Sequence, residues 1–428
     1  MAMTDRKFYQ LSVPERIDQL IAEGGLSAED GAFLHVGNGL TVTLADSMSE
    51  NTIGVYGLPL GVAQNFIVNG RPVLIPMAIE EPSVVAAASN GARLVAKNGG
   101  FSAEADPPHM IGQIQLMHVL DYEAAVERLE QEKEKIFELI RTLHPTLVKL
   151  GGGPVELYSK WFPQSSAGPM MIVYLVLDVR DAMGANAINT TLENISPLVE
   201  ELSGGEARLR VLSNFSDRRM ARASCSLSAD TLAMQDYSGE EVITRILEAA
   251  AFADADPYRA VTHNKGVMNG IDAVMLATGN DWRAVEAGAH AWAARAGRIA
   301  PLTSWKKDAQ GNLIGKIELP LAAGIIGGAT AVHPLAALSL RMLKVKSAVE
   351  LAEVTACVGL AQNLAALRSL ATEGIQKGHM ALHARQVAIA AGAKDDQIEK
   401  VADIMRKEKK IRLEFAKEIL KRYGTVDS

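Results

Sequence analysis

The feature that most limits how this chain can fold is a change of texture between residues 108 and 216. MIGQIQLMHVL reads as a strand, YEAAVERLEQEKEKIFELIRTL as one long amphipathic helix, and PVELYSKWF and MMIVYLVLDV as strands. Residues 185–202 read as a second helix and ARLRVLSN as a last strand. Strand, helix, strand, strand, helix, strand is the split β-α-β order of a ferredoxin-like unit. On either side the chain is different. From Asp217 to Thr372 it is rich in Ala and Gly, with helices expected over 239–252, 283–296, 334–343 and 347–372. Beyond Glu373 it turns helical and charged, ending in MRKEKKIRLEFAKEILKRYG. The expected architecture is α+β. A large Ala/Gly-rich helical domain spans 1–107 and 217–375, a ferredoxin-like (βαββαβ) domain is inserted at 108–216, and a helical segment occupies 376–428.

Composition removes several function classes. The 428 residues carry 43 Lys plus Arg against 50 Asp plus Glu, a net charge of −7 with no basic block, which argues against nucleic acid as a partner. The two cysteines, Cys225 and Cys357, allow neither a disulfide framework nor a cysteine-based zinc site; they fit a reducing, cytoplasmic setting, and no metal is expected. The N-terminus lacks the apolar core of a signal peptide. The stretch from Leu319 to Leu340 has no charged residue, but Pro320, Pro334, His333 and three glycines suit buried core better than a membrane span. Aromatic residues are only 5%, so the core must be small aliphatic side chains packed closely.

No G-x-G-x-x-G, Walker A, H-E-x-x-H or G-x-S-x-G motif is present. Five polar islands in apolar sequence are left. In the first, Asn69-Gly70 marks a hairpin turn, VLIPMAI a strand, and Glu80-Glu81-Pro82-Ser83 a corner into the helix VVAAASNGARLVAK, with Pro82 at the first helical position. Glu81 is then either a buried acid of raised pKa or a solvated loop carboxylate. The second, Asp178 to Asn186, follows an apolar strand and opens a helix, where backbone N–H groups suit a phosphate or merely cap the helix. The third, DPYRAVTHNKGVMNGID, packs Arg259, His263, Asn264, Lys265 and Asn269 between apolar segments. There a lysine can stabilise an oxyanion and an arginine can clamp a carboxylate. In the fourth, ATGNDWRAVEAGAHAW, Asn280 or Asp281 can cap a helix. In the fifth, ATEGIQKGHMALHAR, His379 and His383 share a helix face near two glycines, which suits a catalytic histidine on a mobile segment.

Together these islands resemble the 3-hydroxy-3-methylglutaryl-CoA (HMG-CoA) reductases, in particular the soluble class II type of bacteria and archaea, in the same order from about Leu40 to Arg385. The resemblance implies reduction of HMG-CoA to mevalonate and free CoA with two NAD(P)H, or the reverse oxidation in mevalonate catabolism. It implies Glu81 as proton donor, Lys265 as stabiliser of the mevaldyl oxyanion, Asp281 beside both, and His379 as the acid that protonates the leaving thiolate. The chemistry is coherent. Charge that develops on oxygen needs a fixed cation, and a thiolate leaves more readily as thiol. Arg259, Ser83 and Asn269 would hold the hydroxymethylglutaryl part, with Gln362 in the substrate region. Asp181, Met183, Gly184, Asn186 and Asn214 match the nicotinamide cofactor region, so the cofactor would sit on the inserted domain. The tail from about Gln376 would close over the site as a flap.

His144 stands where an NAD-dependent member has an acid seven residues before the triple glycine. A histidine there does not repel a 2′-phosphate and attracts it when charged, which favours NADPH and leaves dual use with NADH open. The resemblance further implies a homodimer with the active site at its interface, assembled as a trimer of dimers, and no membrane anchor. Two other readings are a non-catalytic CoA- or nucleotide-binding protein and another CoA-dependent acyl enzyme. The latter calls for a nucleophilic cysteine, yet Cys225 and Cys357 both read as core.

Overall fold

The computed structural model describes residues 6–37, 39–372 and 374–424, with the side chains at 375–382 and 423–424 outside the description. The inserted unit folds as its pattern predicts. Strands β4 (His109–Met117), β5 (Gly153–Phe162), β6 (Met170–Asp178) and β7 (Glu206–Leu212) form a sheet in the order β5-β6-β4-β7, every neighbouring pair antiparallel. Alternation along the strands sends Met110, Ile114, Leu116, Met171, Val173, Leu175 and Leu177 to one face. That face is covered by the helix Ala185–Ser203 and by the 122–143 region. The single long helix expected over 122–143 is instead two, Tyr122–Gln131 and Lys133–Leu143, broken at Glu132. Each half keeps its own apolar stripe, Ala125 and Leu129, then Ile136, Phe137 and Ile140, so the break costs the core nothing.

Around the insertion lies the larger core. Strands β1 (Leu60–Val68) and β2 (Arg71–Ala78) form the expected hairpin, with Asn69 and Gly70 both at positive φ, as the two-residue turn requires. A four-stranded antiparallel sheet runs β3-β8-β10-β9, from Ser102–Ala105 (β3), Met220–Leu227 (β8), Thr303–Lys307 (β9) and Leu313–Pro320 (β10). The central helix, Ala348–Ala371, is buried along most of its length. Its small residues let other helices approach. A Cβ on Gly91 would lie 2.3 Å from the Ala361 carbonyl oxygen, and one on Gly270 would meet Val358 and Gln362 at 3.1 Å. Close packing of helices explains why the chain is built from Ala and Gly rather than aromatic residues. This helix is long and apolar enough to cross a membrane, but 72% of its apolar window is buried within the protein, as in a core helix.

The Lys265 segment is a single helix, Pro257–Ala277, whose polar residues and two glycines conceal it in the apolar pattern. Residues 319–340 are core only in part: the end of β10, residues 321–324 and the inner face of the helix Pro334–Leu343 are buried, while residues 326–329 and, in the short helix Gly328–Val332, Ala331 and Val332 are exposed. The tail forms the helices Ile375–Ala390, Asp396–Lys407 and Leu413–Gly424, which share a separate small core around Ala384, Ala388, Val401, Ala402, Met405 and Ala416.

Candidate active site

Two elements bring the first and third islands together. Asp256 caps the Lys265 helix by accepting a hydrogen bond from Arg259 N at 2.8 Å, and Pro257 follows in the first turn. From this helix Lys265 Nζ donates to Glu81 Oε2 at 2.6 Å, and one turn later Asn269 Nδ2 approaches both Glu81 oxygens at 3.4 Å. Glu81 occupies the corner between β2 and the helix Val84–Ala96. Pro82 is not the first helical residue. Ser83 is the cap, and it sits at φ 74, a left-handed conformation that is costly for a residue other than glycine. That turn aims Glu81 back across β2 at Lys265. The Lys265 and Glu81 side chains are 61% and 33% exposed, so the ion pair adds little stability. Its value is a cation and an acid placed together on an accessible face.

The rest of the third island is structural. Asn264 donates to the Ala300 carbonyl and accepts from Leu302 N, at 2.9 Å each. His263 is buried against β9 and the central helix. The Trp305 indole, which can only donate, gives its N–H to Asn363 Oδ1 at 2.8 Å, which turns the Asn363 amide N–H toward His263 Nε2 at 3.1 Å. Thr303 Oγ1, which donates to the same Asn363 oxygen at 2.9 Å, lies 2.7 Å from His263 Nε2, and His263 Nδ1 has no hydrogen-bond partner among the described residues. Burial, with Arg259 nearby, pushes the His263 pKa down to about 4. Burial also lowers that of Arg259.

The fourth island is accounted for completely. Asn280 bridges Thr278 and Gly324, while Asp281 caps the helix Trp282–Ala293 through Ala284 N at 3.1 Å and pairs with Arg283 at 3.4 Å. Three turns of the Lys265 helix separate Lys265 from Ala277, a rise of about 18 Å. No described contact joins Asp281 of this chain to Glu81 or Lys265. Gln362 is buried against Gly270 on the far side of the Lys265 helix, its Oε1 unpartnered. His379 lies on the helix Ile375–Ala390, and its side chain falls outside the described residues.

The second island sits where the two cores meet. Asp181 accepts from Ala348 N at 2.8 Å through its carboxylate and from Ile325 N at 2.9 Å through its carbonyl. Met183 packs against Gly324 so closely that a Cβ there would lie 2.4 Å from its nitrogen. Gly184, at φ 103, opens the helix Ala185–Ser203, and no side chain caps that end. Asn186 in its first turn and Asn214 are exposed. The pattern gave no sign of the arginine that fixes this segment. Arg219 is buried and donates to the carbonyls of Ala182, Met183 and Ala323, and burial pushes its pKa down to about 10. The planar fork of arginine donors spans the three carbonyls at once. Arg180, held at φ 52, likewise donates to the Gly151 carbonyl.

His144 is held differently from expectation. Thr191 Oγ1 gives its proton to the Ala187 carbonyl at 2.7 Å, so at 2.7 Å His144 Nε2 must be the donor to that oxygen. Burial lowers the His144 pKa. The ring is neutral near pH 7. It repels nothing, but it brings no positive charge to a 2′-phosphate.

Both cysteines are buried and their thiols resist ionisation, with Cys225 pushed up to about 12 and Cys357 also upward by burial. Neither is a nucleophile. Among the described residues no three His, Cys, Asp or Glu side chains are grouped to hold a metal.

Comparison with known proteins gives the family of the chain. Residues 12–384 fit the family profile of hydroxymethylglutaryl-coenzyme A reductase. The chain belongs to the HMG-CoA reductase family. It is 51% identical to the 3-hydroxy-3-methylglutaryl-coenzyme A reductase of Archaeoglobus fulgidus over 97% of its own length and 93% of that protein's. It is 34% identical to a probable reductase of Borreliella burgdorferi, over 80% and 77% respectively. Among solved structures, a reductase from Streptococcus pneumoniae superposes with a TM-score of 0.84 at 39% identity, covering 98% of this chain and 100% of that one. A class II enzyme from the same organism, bound to NADPH in open conformations, gives 0.83 at 41%, covering 86% and 100%. The chain is an oxidoreductase of this family, and the expected α+β fold and HMG-CoA reductase activity both stand.

Proposed function

We propose that this HMG-CoA reductase carries out both reductions at the Glu81–Lys265–Asn269 cluster, with NADPH as the reductant. The observation that carries the assignment is the 2.6 Å contact between Lys265 Nζ and Glu81, with Asn269 bridging both carboxylate oxygens. Lys265 stabilises the oxygen that becomes negative when the thioester carbonyl is reduced, and Glu81 delivers a proton to it. Asn269 keeps the Glu81 carboxyl turned toward Lys265. Arg259, at the start of the same helix, clamps the free carboxylate of the substrate, while Ser83 borders the hydroxymethylglutaryl part and Gln362, buried against Gly270, backs the Lys265 helix. Because about 18 Å of helix separates Lys265 from the end that precedes Asp281, the Asp281 that serves this cluster comes from a second copy of the chain. That is consistent with a site built at a dimer interface. His379, carried by the tail at 376–428, protonates the departing CoA sulfur.

The inserted domain at 108–216 has the donor set an anionic dinucleotide needs. The helix opened by Gly184 presents uncapped backbone N–H groups, and Asp181, Met183, Asn186 and Asn214 surround that end, with His144 beside the triple glycine. When bound, the reduced nicotinamide supplies the hydride for each reduction. Arg219 holds the Ala182-Met183 backbone in register with the larger core, so the cofactor end and the substrate end keep a fixed relation.

The test is a mixture of the purified protein, HMG-CoA and NADPH, then NADH, followed by loss of absorbance. The expected result is oxidation that requires HMG-CoA, is faster with NADPH, and yields mevalonate and free thiol. Binding of both ligands without oxidation of either cofactor would overturn the assignment.

A further inference from the structure

At the cofactor end of the inserted domain, Arg180 holds a backbone conformation that suits glycine. After β6 the chain turns over residues 179–182, and Ala182 N closes the turn by donating to the Val179 carbonyl at 3.2 Å. Arg180 is the second residue of that turn, at φ 52. A turn with a left-handed second residue ordinarily takes Gly or Asn there, and a longer side chain holds the conformation only at a cost. The backbone gains nothing from an arginine at this place. What the arginine adds is its side chain.

That side chain reaches the triple glycine. Arg180 Nη2 donates to the Gly151 carbonyl and lies 3.3 Å from Asp178 Oδ2, while Arg180 N donates to Asp178 Oδ1 at 2.9 Å. The buried Asp178 therefore fixes both the backbone and the head group of Arg180. Arg180 Nε is buried without a hydrogen-bond partner among the described residues, so the guanidinium is held by its tip. The glycines permit the approach. A Cβ on Gly151 would lie 3.2 Å from Arg180 Nη2, and one on Gly152 would lie 2.7 Å from the Asp178 carbonyl oxygen. Three glycines in a row also carry the largest backbone entropy a chain can have, so this loop needs an outside tie to keep one shape.

Both ends of the tie lead to the region assigned above to the cofactor. Beyond Arg180 come Asp181, Met183 and Gly184. Asp181 and Arg219 already fasten that turn to the larger core. On the glycine side, the short helix Pro145–Lys149 leads back to His144, which bonds Thr191 on the helix Ala185–Ser203. The segment 144–153 is thus fastened at one end by His144 and at the other by Arg180. We propose that Arg180 is a positioning residue for the dinucleotide, its side chain clamping the triple-glycine loop to the turn at 179–184 so that the two segments bordering the cofactor keep a fixed separation. Arg180 acts on the cofactor only through that loop. The role rests on the cofactor placement given under the proposed function.

The experiment compares the full chain with R180G and R180N. Both replacements accept a left-handed backbone, so both should fold, and both remove the clamp. Hydrogen exchange at the Gly151, Gly152 and Gly153 amides, measured without ligands, should quicken by about tenfold or more in each variant. The Kd for NADPH and the Kd for NADH, from fluorescence titration, should each rise by about tenfold, close to the worth of one hydrogen bond to a charged group. In turnover the loss should appear in the KM for the cofactor, with kcat and the KM for HMG-CoA within about twofold of the parent's. Unchanged exchange would show that there is no clamp. Faster exchange with unchanged cofactor affinity would detach the loop from the cofactor. A loss confined to NADPH would make Arg180 a direct contact to the 2′-phosphate and not a positioning residue. A loss in R180G alone would assign the effect to added glycine flexibility. If the parent itself bound neither dinucleotide, the cofactor placement would fail and the positioning role with it, while the exchange comparison would still read the clamp.

Discussion

Replacing Lys265 by Met separates what this ion pair does for stability from what it does for chemistry. The lysine side chain is 61% exposed and its Glu81 partner 33%. A pair this open to water contributes about 0–1 kcal/mol to folding. With an unfolding entropy of about 2.1 cal/mol/K per residue, 428 residues give roughly 0.9 kcal/mol per kelvin. The melting temperature of K265M should therefore move by about 1 °C or less. The chemical step should fare very differently. Removal of one preorganised donor to a developing oxyanion costs about 2.7–4 kcal/mol, or 10²–10³ in kcat. The assay is HMG-CoA-dependent oxidation of NADPH, run beside a thermal melt of the same preparation. KM for HMG-CoA should change little if Arg259 holds the far carboxylate as proposed. A K265M enzyme within tenfold of the parent's kcat would refute the oxyanion role. A melting temperature lower by many degrees would show that the lysine is structural after all.

Two further predictions test the surroundings of the site. His263 has a folded pKa of about 4 against an ordinary 6.5, so below pH 6.5 the unfolded chain takes up a proton that the folded chain refuses. Stability should fall by about 3 kcal/mol as pH drops from 6.5 to 4. Asp272, whose pKa burial and the nearby Glu286 raise to about 8, pulls the opposite way over this range, so the effect is read as the difference in urea midpoint between H263Q and the parent. A difference that does not change with pH would refute it. For Arg219, R219L strands the carbonyls of Ala182, Met183 and Ala323, at about 1–3 kcal/mol for each group left buried and unpaired. It should lower the melting temperature and weaken NADPH binding measured by fluorescence titration, whereas unchanged affinity would separate this arginine from the cofactor end.

The inserted unit was readable because its elements announce themselves by period. Its strands alternate, its helices carry apolar stripes, and Gly184 marks the start of a helix. The Lys265 helix was not, since Arg259, His263, Asn264, Lys265 and Asn269 interrupt any single apolar stripe. Three of those residues point to the accessible side, and two make buried hydrogen bonds to other elements. That division depends on β9 and the central helix, which arrive from 36 or more residues further along the chain. Arg219 was invisible for the same reason, because its acceptors belong to two distant segments. His144 was legible as a residue but not as a charge state. Its tautomer is set by Thr191, on another helix, which has already spent its own proton. Local sequence carries periodicity and turn chemistry. The protonation of a buried group is fixed by partners remote in sequence.

The exposure of Lys265 also bears on how the enzyme must work. An ammonium about 4 Å from an oxyanion gains about 1 kcal/mol in bulk water, but about 4 kcal/mol at the lower effective dielectric of a protein site. The loss expected for K265M needs the second environment, and at 61% exposure Lys265 sits nearer the first. Something must therefore cover the cluster during turnover. The helix Ile375–Ala390, which carries His379 and belongs to a tail with its own core, is the segment suited to do so. Deleting residues 376–428 should leave a folded protein that binds HMG-CoA weakly and turns over very little. The more telling measurement is a double-mutant cycle. If the tail serves only to bring His379, K265M should cost as much in the truncated protein as in the full one. If it also excludes water, the K265M penalty should shrink to a few-fold once the tail is gone, since the ammonium would then act in a screened site. Equal penalties in the two backgrounds would limit the tail to proton delivery, and near-normal turnover after truncation would remove His379 from the reaction.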